Sequence, residues 1–308
     1  MKKKIILAVV ALFCKLHLLK PIQVARLKYF YKFHKMPNYE HPTDINEKIN
    51  WNKFYGDTSR WADLADKYKV REYVKSLGLG DTLVQLYGRW DKASDIDWDR
   101  LPNQFVLKVN NGCGDILICR DKDKLDKAAI VDTYDKLVSV KYGDVTGEPH
   151  YTRIQPCIIA EELLDINKQS INTSSLIDYK VWCLNGKPYC IWCAWNRGKR
   201  GTDTGAYDLD WNYHPEWSVF TEHYRQGKEV LPKPKNFERM LEVASKLSEE
   251  FPILRVDLYE VNEKIYFGEL TFTSLGGFMD YFTSEILLDM GSKVRINEIL
   301  EEHGRGRC

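Results

Sequence analysis

The segment that most constrains this chain is residues 255–271, RVDLYEVNEKIYFGELT. Two apolar-rich runs, 255–259 and 265–270, flank a turn-forming stretch, and this pattern predicts a β-hairpin. Asp257 and Glu269 lie inside these runs, although strand interiors disfavour carboxylates and a buried carboxylate is costly unless it is paired or binds a metal. The hairpin therefore contains acids that its own folding does not require.

Oxygen-bearing side chains on this hairpin suggest a metal site. Glu269 and Thr271 are two residues apart, so they face the same side of a strand, and together with Asp257 they offer the oxygen ligands that suit Mg²⁺. Arg255 is close enough in sequence to bind a phosphate. For Asp257 to lie opposite Glu269, we expect a three-residue loop or a bulge at 262–264, and not a two-residue turn. The alternative is an edge hairpin whose acids are solvated.

Composition places the chain among globular proteins but shows an uneven charge. With 308 residues, 44% hydrophobic and 29% charged, it can bury a sizeable core and form two lobes. Nine of its 45 lysine and arginine residues precede Glu40, and none of its 44 acidic residues does. Such a basic arm suits an anionic membrane surface or a nucleic acid. Because the remainder is acidic, nucleic acid is not expected as the main partner.

The N-terminus begins with three lysines followed by the apolar run IILAVVALFC. This resembles the start of a signal peptide, but no cleavage site follows, and ten apolar residues are too few to span a bilayer. Two interpretations stay open: a helix packed on the body, or a basic surface anchor over residues 1–36 that makes peripheral membrane contact.

The cysteines indicate the cellular compartment. Eight are spread through apolar runs, unlike the disulfide framework of a short secreted chain. The lone Cys190-x-x-Cys193 motif is better explained by buried thiols than by zinc or redox chemistry. We expect a cytoplasmic protein, acting at the inner face of the cell membrane if the arm binds lipid.

Periodicity predicts the other elements. Residues 60–77, 124–142 and 237–247 form amphipathic patterns typical of helices. Strands are predicted at 82–90, 105–109 and 156–165, with a hairpin at 178–197 that turns at Asn185-Gly186. Residues 198–235 are aromatic and charged without clear periodicity, which predicts a functional loop.

A glycine-containing stretch follows the strand at 105–109. Residues 110–115, NNGCGD, are flexible enough to direct backbone N–H groups at phosphates, and Lys108 precedes them. This is not a Walker loop, because that motif places its lysine after the glycines. Taken alone, an ordinary hairpin turn explains the stretch equally well.

The order of these features resembles the ATP-grasp superfamily, and more closely its TupA-like branch, whose members often carry a glycosyltransferase label. The resemblance runs from residue 43 to about residue 280, and is carried by the phrases at 46–51, 65–74, 101–115, 158–164, 178–188 and 255–273. It implies an α+β ATP-grasp fold, in which two α+β lobes with mainly antiparallel sheets grip ATP, preceded by a helical N-terminal segment. The implied division is a basic helical arm (1–42), a helical and strand segment before the core (43–100), a small lobe with phosphate loop and hinge (101–164) and a large lobe with the metal-binding hairpin (165–308).

The resemblance also implies roles for individual residues. The nucleotide would be held by Lys67, Lys108, Asn111, Gly112, Gly114, Glu161, Glu162, Leu163, Asp178 and Lys180. Within that set the lysines at 67 and 108 would contact phosphates, one of the two glutamates would accept from the adenine amino group, and Asp178 would lie near the ribose. The metal ligands would be Asp257, Glu269 and Thr271, the last where relatives usually have Asn. Arg255, Lys108 and Arg197 would assist catalysis.

The implied function is an ATP- and Mg²⁺-dependent ligase that joins a carboxylate to an amine through an acyl phosphate. Its substrates would be a small-molecule or lipid-linked saccharide carboxylate from a cell-surface polysaccharide or envelope precursor, and an amine. One alternative is a related kinase that phosphorylates a sugar hydroxyl. Another is a glycosyltransferase, whose D-x-D motif should follow an early nucleotide-binding strand, yet the early instances at 95–97 and 121–123 follow no glycine-rich turn. A non-enzymatic binding module would leave the phosphate-directed residues unexplained.

Overall fold

The computed structural model describes residues 19–112, 116–140, 143 and 147–296. Its helices are α1 (Pro21–Phe33), α2 (Ile45–Tyr55), α3 (Trp61–Ala65), α4 (Val70–Ser76), α5 (Lys127–Val138), α6 (Pro149–Thr152), α7 (Phe237–Ser248) and α8 (Ser284–Lys293). Its strands are β1 (Leu86–Trp90), β2 (Phe105–Val109), β3 (Ile116–Cys119), β4 (Ile158–Glu161), β5 (Asp178–Leu184), β6 (Lys187–Gly198), β7 (Gly201–Tyr207), β8 (Tyr224–Gln226), β9 (Ile253–Val261) and β10 (Lys264–Thr271).

The chain forms two compact units. Unit 1 comprises Met1–Leu27 and Thr58–Leu164, and unit 2 comprises Lys28–Asp57 and Asp165–Cys308. The four segments inferred from the sequence remain a prediction. The apolar run near the N-terminus lies outside the described residues, as do residues 1–18 of the basic arm.

Unit 1 contains a four-stranded antiparallel sheet in the order β1-β4-β2-β3. Along β2 the residues Phe105, Leu107 and Val109 are buried and alternate with partly exposed positions, as a period of two requires. Helix α5 covers the buried face, where the Tyr134 hydroxyl donates to the Leu107 carbonyl at 2.7 Å. This alternation directs Lys108 to the opposite face.

The single helix predicted at 60–77 is wrong, because the structure has two short helices there, α3 and α4. Asp66 interrupts them: its Oδ1 accepts from the backbone N–H groups of Tyr68 (2.8 Å) and Lys69 (3.2 Å). The Lys67 N–H is also diverted to the Asn110 carbonyl at 3.2 Å. Burial raises the pKa of Asp66 above its ordinary value.

Unit 2 contains a six-stranded sheet in the order β10-β9-β5-β6-β7-β8, antiparallel except for the β7–β8 pair. Helix α7 packs on β5, β6 and β9 through its apolar stripe. A cluster of large buried side chains, including Trp182, Trp192 and Phe282, packs with residues of α2 and α8. The predicted turn at Asn185-Gly186 is confirmed, with both residues at positive φ.

The loop predicted at 198–235 is wrong, because this stretch includes strands β7 and β8. Strand β7 is buried along its whole length yet includes Thr202, Asp203 and Thr204. Arg225 of β8 donates to Asp203 at 2.7 Å, and the Thr204 hydroxyl donates to the Arg225 carbonyl at 3.0 Å. Because these buried positions are polar and their partners lie elsewhere in the chain, the sequence of β7 lacks the apolar pattern by which a strand is predicted.

The two cysteines of the C-x-x-C motif lie in β6 and are fully buried free thiols. Burial raises the pKa of both Cys190 and Cys193, so neither thiol ionises readily. This agrees with the buried-thiol interpretation. Separately, among the described residues no helix has the length and apolar character needed to cross a membrane.

Candidate functional site

The hairpin of β9 and β10 turns differently from the expectation. Asn262 and Glu263, both at positive φ, form a two-residue turn, so the predicted three-residue loop or bulge at 262–264 is wrong. The irregularity lies farther along β10, where the register shifts between Phe267 and Glu269. Because of that shift, Glu269 is opposite Asp257 and the two acids share one face of the sheet.

Gly268 occupies the register shift and has almost no room for a side chain. A Cβ there would lie 2.9 Å from the Asp257 carbonyl oxygen and 3.0 Å from the Tyr259 ring. Glycine therefore allows the strands to approach at the bulge. The bulge that places Glu269 opposite Asp257 thus has a glycine at its closest contact.

Arg255 is the centre of the hydrogen bonds on the hairpin. Its guanidinium donates to both carboxylate oxygens of Asp257, at 2.7 and 2.8 Å. It also donates to the Thr271 hydroxyl at 3.0 Å and to the Ser274 hydroxyl at 2.7 Å. Its Nη2 lies 3.6 Å from Glu269, whose side chain is 43% exposed while that of Asp257 is 2% exposed. Asp257 is thus the anchored acid and Glu269 the accessible one.

Strand β5 adds a second pair of charges beside the hairpin. Lys180 lies directly opposite Asp257 and forms an ion pair with it. Lys180 also lies 2.6 Å from Asp178, and Arg197 from the end of β6 binds the same Asp178 oxygen. The other oxygen of Asp178 is buried and, within the described part of the chain, makes no hydrogen bond. A buried carboxylate oxygen without a partner is unusual in a folded protein.

The electrostatic balance of this cluster is close to neutral: three carboxylates face three cations, and the cations are Lys180, Arg197 and Arg255. Nearby phenols are held protonated, because burial raises the pKa of Tyr281 to about 12. In a cluster of this kind the ion pairs can be replaced when a ligand binds, because the cations can bind phosphate and the carboxylates can bind a metal.

The oxygen atoms on the hairpin are of the type that binds a divalent cation, but they are too few to hold one without further ligands. In the described ranges no group of three or more His, Cys, Asp or Glu is placed to hold a metal. Two carboxylates and the Thr271 hydroxyl, 3.3 Å from Glu269, are hard ligands, and Mg²⁺ is commonly bound by one or two carboxylates together with substrate phosphates and water. The donor set therefore fits Mg²⁺ bound together with a nucleotide.

Unit 1 has its own charged cluster on β2 and β4. The Lys108 amino group lies 2.5 Å from Glu161, and Arg71 donates to the other Glu161 oxygen at 3.1 Å. Glu161 is buried and already holds two cations, so it is poorly placed to accept from adenine as well. Glu162 is less buried, and its carboxylate accepts a long 3.4 Å bond from the Gln85 N–H. Leu163 next to it is also partly exposed.

The start of the predicted phosphate loop is well anchored. Asn110 donates to the Gln155 carbonyl at 3.0 Å and accepts from the Cys157 N–H at 2.7 Å. The Lys67 amino group donates to the Gly112 carbonyl at 2.6 Å. Asn111 is buried. Gly114 lies outside the described residues, so its predicted role remains a prediction.

Sequence reasoning missed two residues that organise these clusters. Arg71 lies within the phrase at 65–74, but nothing in its spacing marked it as the partner of a glutamate 90 residues away. Ser274 follows the hairpin, and its bond to Arg255 became visible only in the structure. Both depend on pairings that local patterns do not encode.

The model of the TupA-like ATPgrasp family matches residues 47–295. The chain belongs to the TupA-like ATPgrasp family. Membership confirms the predicted family and the α+β ATP-grasp fold. It supports, in general terms, an ATP-dependent ligase and the use of ATP.

Solved structures similar to this family member include D-alanine–D-alanine ligase from Bacillus anthracis, at 15% identity and a TM-score of 0.48, covering 84% of this chain and 73% of that one. The same enzyme complexed with ATP gives 15% identity and a TM-score of 0.47, with 84% and 72% covered. L-amino acid ligase from Bacillus licheniformis gives 11% identity and a TM-score of 0.45, with 75% of this chain and 49% of that chain covered. No curated protein matches the sequence.

Proposed function

We propose that this protein is an ATP- and Mg²⁺-dependent carboxylate–amine ligase acting on a cell-surface polysaccharide or envelope precursor. The observation that carries the proposal is that Asp257 and Glu269 face each other on the hairpin of a member of an ATPgrasp family. Arg255 donates to Asp257 and lies 3.6 Å from Glu269. A buried carboxylate such as Asp257, held beside a guanidinium, is costly as a purely structural device. A site for a nucleotide and its metal would explain why the hairpin carries Asp257 and Glu269.

The proposed first step transfers a phosphoryl group. A carboxylate oxygen of the substrate attacks the γ-phosphorus of ATP, the bond from that phosphorus to the bridging oxygen breaks, and ADP leaves with the electron pair. Arg255, whose Nε–H and Nη2–H groups stay on Asp257, would stabilise the charge of the transferred group electrostatically. When bound, Mg²⁺ would neutralise phosphate charge and orient the oxygens, held by Asp257, Glu269 and Thr271. The product is an acyl phosphate.

The proposed second step forms the amide. The amine nitrogen attacks the acyl carbon, the carbon–oxygen bond to phosphate breaks, and inorganic phosphate leaves while the nitrogen loses a proton. No side chain needs to act as a nucleophile, so the rate would come from positioning and electrostatics. Arg197, beside Asp178 and 45% exposed, is available to bind an anionic acceptor.

In unit 1, Lys108 is proposed to bind a phosphate of ATP. It already forms an ion pair with the buried Glu161, and its side chain is 20% exposed. Arg71 stays on Glu161 when Lys108 turns to phosphate, so the buried carboxylate would keep a cation. Lys67, close to the Gly112 carbonyl, is proposed as the second phosphate lysine.

The substrate class is proposed as a small-molecule or lipid-linked saccharide bearing a carboxylate. The basic arm supports action at the inner face of a membrane, since each lysine or arginine near an anionic surface contributes about 1 kcal/mol. An acceptor carried by a lipid would then be close at hand.

Hydroxylamine trapping tests the reaction class. With ATP, Mg²⁺ and a panel of uronic acids and amino acids, an acyl phosphate should react with hydroxylamine to give a hydroxamate, and phosphate should appear only when a carboxylate is present. Analysis by ³¹P NMR separates the alternatives. A phosphate ester on a sugar hydroxyl would establish the kinase instead, and absence of any ADP would rule out both.

A further inference from the structure

Helix α2 buries a polar stripe. Asn46, Asn50 and Lys53 are spaced by four and three residues, so they lie on one face of the helix. Their exposed fractions are 1%, 0% and 4%. Amides and ammonium groups are rarely so buried unless they are hydrogen-bonded. The hydrogen-bond partners of these three side chains therefore indicate the role of the stripe.

All three side chains bind the backbone of one short segment. Asn46 donates to the Met279 carbonyl at 2.9 Å and accepts from the Met279 N–H at 2.8 Å. Asn50 donates to the Gly277 carbonyl at 2.7 Å. Lys53 donates to the Gly276 carbonyl at 2.9 Å and also lies 5.3 Å from the ring centre of Phe278. We call residues 273–279 the post-hairpin loop.

The post-hairpin loop has a backbone that needs support. Leu275, Gly276 and Gly277 all have positive φ, at 49°, 71° and 84°, and such a conformation is unfavourable for a leucine. It persists where surrounding contacts determine it. At Gly277 a Cβ would lie 2.6 Å from the Asn50 amide nitrogen, so the helix touches the backbone directly.

The same loop reaches the candidate metal site. Ser274 accepts from the Arg255 guanidinium at 2.7 Å, and its hydroxyl lies 3.0 Å from the Tyr281 hydroxyl. The Nε–H and Nη2–H groups of the same guanidinium donate to Asp257. A connected set of hydrogen bonds thus runs from α2 through the loop to the anchored carboxylate.

We propose that Asn46, Asn50 and Lys53 are positioning residues for the metal–nucleotide site. They fix the post-hairpin loop, the loop fixes Ser274, and Ser274 orients the Arg255 guanidinium on Asp257. The inference rests on the proposed function, since it assumes that Mg²⁺ and ATP bind at this hairpin. It predicts that loosening the loop weakens the Mg²⁺-dependent part of ATP binding.

Helix α2 provides a matched control. Lys48 also donates to a backbone carbonyl of unit 2, that of Val294 at 2.7 Å. It contacts a segment after α8 and not the post-hairpin loop. Lys48→Met and Lys53→Met each remove a lysine-to-carbonyl bond from the same helix. Only the second removes a contact to the loop.

The test uses the full chain and calorimetry with ATP, with and without Mg²⁺. For Lys53→Met we expect about 10-fold weaker binding of ATP with Mg²⁺, which is within the range typical of coupling between two linked sites. Binding of ATP without Mg²⁺ should stay within about twofold, as for independent sites. Lys48→Met should leave both affinities unchanged. Hydrogen exchange of the peptide over 273–279 should quicken in Lys53→Met only.

The outcomes separate the inference from the function it rests on. If the unmodified chain does not bind ATP with Mg²⁺, both the function and the inference are overturned. If it binds, and Lys53→Met behaves like Lys48→Met, the inference alone fails. Should Lys53→Met not fold, Asn50→Ala removes the neighbouring bond to Gly277 and must show the same Mg²⁺-dependent loss for the inference to stand.

Discussion

Gly268→Ala tests whether the register shift in β10 builds the candidate metal site. The added methyl group would lie 2.9 Å from the Asp257 carbonyl oxygen, which belongs to the rigid neighbouring strand. Either the strands separate or the bulge is lost. If the two-residue turn set the register along the whole hairpin, Glu269 would no longer lie opposite Asp257.

The expected cost follows from overpacking. Inserting a methyl group into a close contact costs about 1–3 kcal/mol. For a unit of this size that corresponds to roughly 2–12 °C in the melting temperature. Because the carboxylates are displaced, we also expect affinity for ATP with Mg²⁺ to fall about 10-fold or more. Calorimetric melting and ATP titration measure the two effects.

Gly198→Ala is the matched control, because a Cβ at that position in β6 would meet nothing within 4 Å. It should leave both the melting temperature and the affinity nearly unchanged. If Gly268→Ala also melts and binds ATP like the unmodified chain, the close approach at the bulge has no role in holding the acids. The metal assignment of Asp257 and Glu269 would then lose its structural basis.

Two further predictions concern the other proposed contacts. Lys108→Met should weaken ATP binding by about 1.5–3 kcal/mol through loss of a charge-assisted bond, whereas Lys136→Met, which removes an exposed lysine paired with Asp132 at 2.6 Å, should not. Equal affinities of the two variants in calorimetry would remove Lys108 from the nucleotide site. Replacing Lys2, Lys3 and Lys4 by glutamine should reduce co-sedimentation with anionic liposomes, since each contributes about 1 kcal/mol. Pelleting unchanged by these substitutions would contradict a membrane role for the three lysines.

Features set by local periodicity were predictable from the sequence. The alternation of Phe105, Leu107 and Val109 fixed which face of β2 carries Lys108. The pair Asn185-Gly186 specified its turn, because both residues tolerate positive φ. The hairpin at 255–271 also followed from its two apolar runs and the polar turn between them. In each case the information lies within a few residues.

Features set by distant partners were not predictable. The break after α3 depends on Asp66 capping the next residues while Lys67 pairs with Asn110. The bulge at Gly268 depends on how closely β9 approaches, which the sequence of β10 does not show. Strand β7 was not predicted because it buries polar residues such as Asp203, whose partner Arg225 lies in another strand. Each needs the tertiary structure to be specified.

The polar stripe of α2 shows why such failures cluster at a candidate site. Polar residues at helical spacing normally indicate a solvated face, yet Asn46, Asn50 and Lys53 are buried and bind a strained loop. A packed apolar face would stabilise the helix at lower desolvation cost, so stability alone does not account for them. Places where a chain departs from the locally favoured choice are where functional constraints are expected. The contacts from this stripe to the post-hairpin loop, and from Ser274 to Arg255, would explain why α2 buries polar residues here.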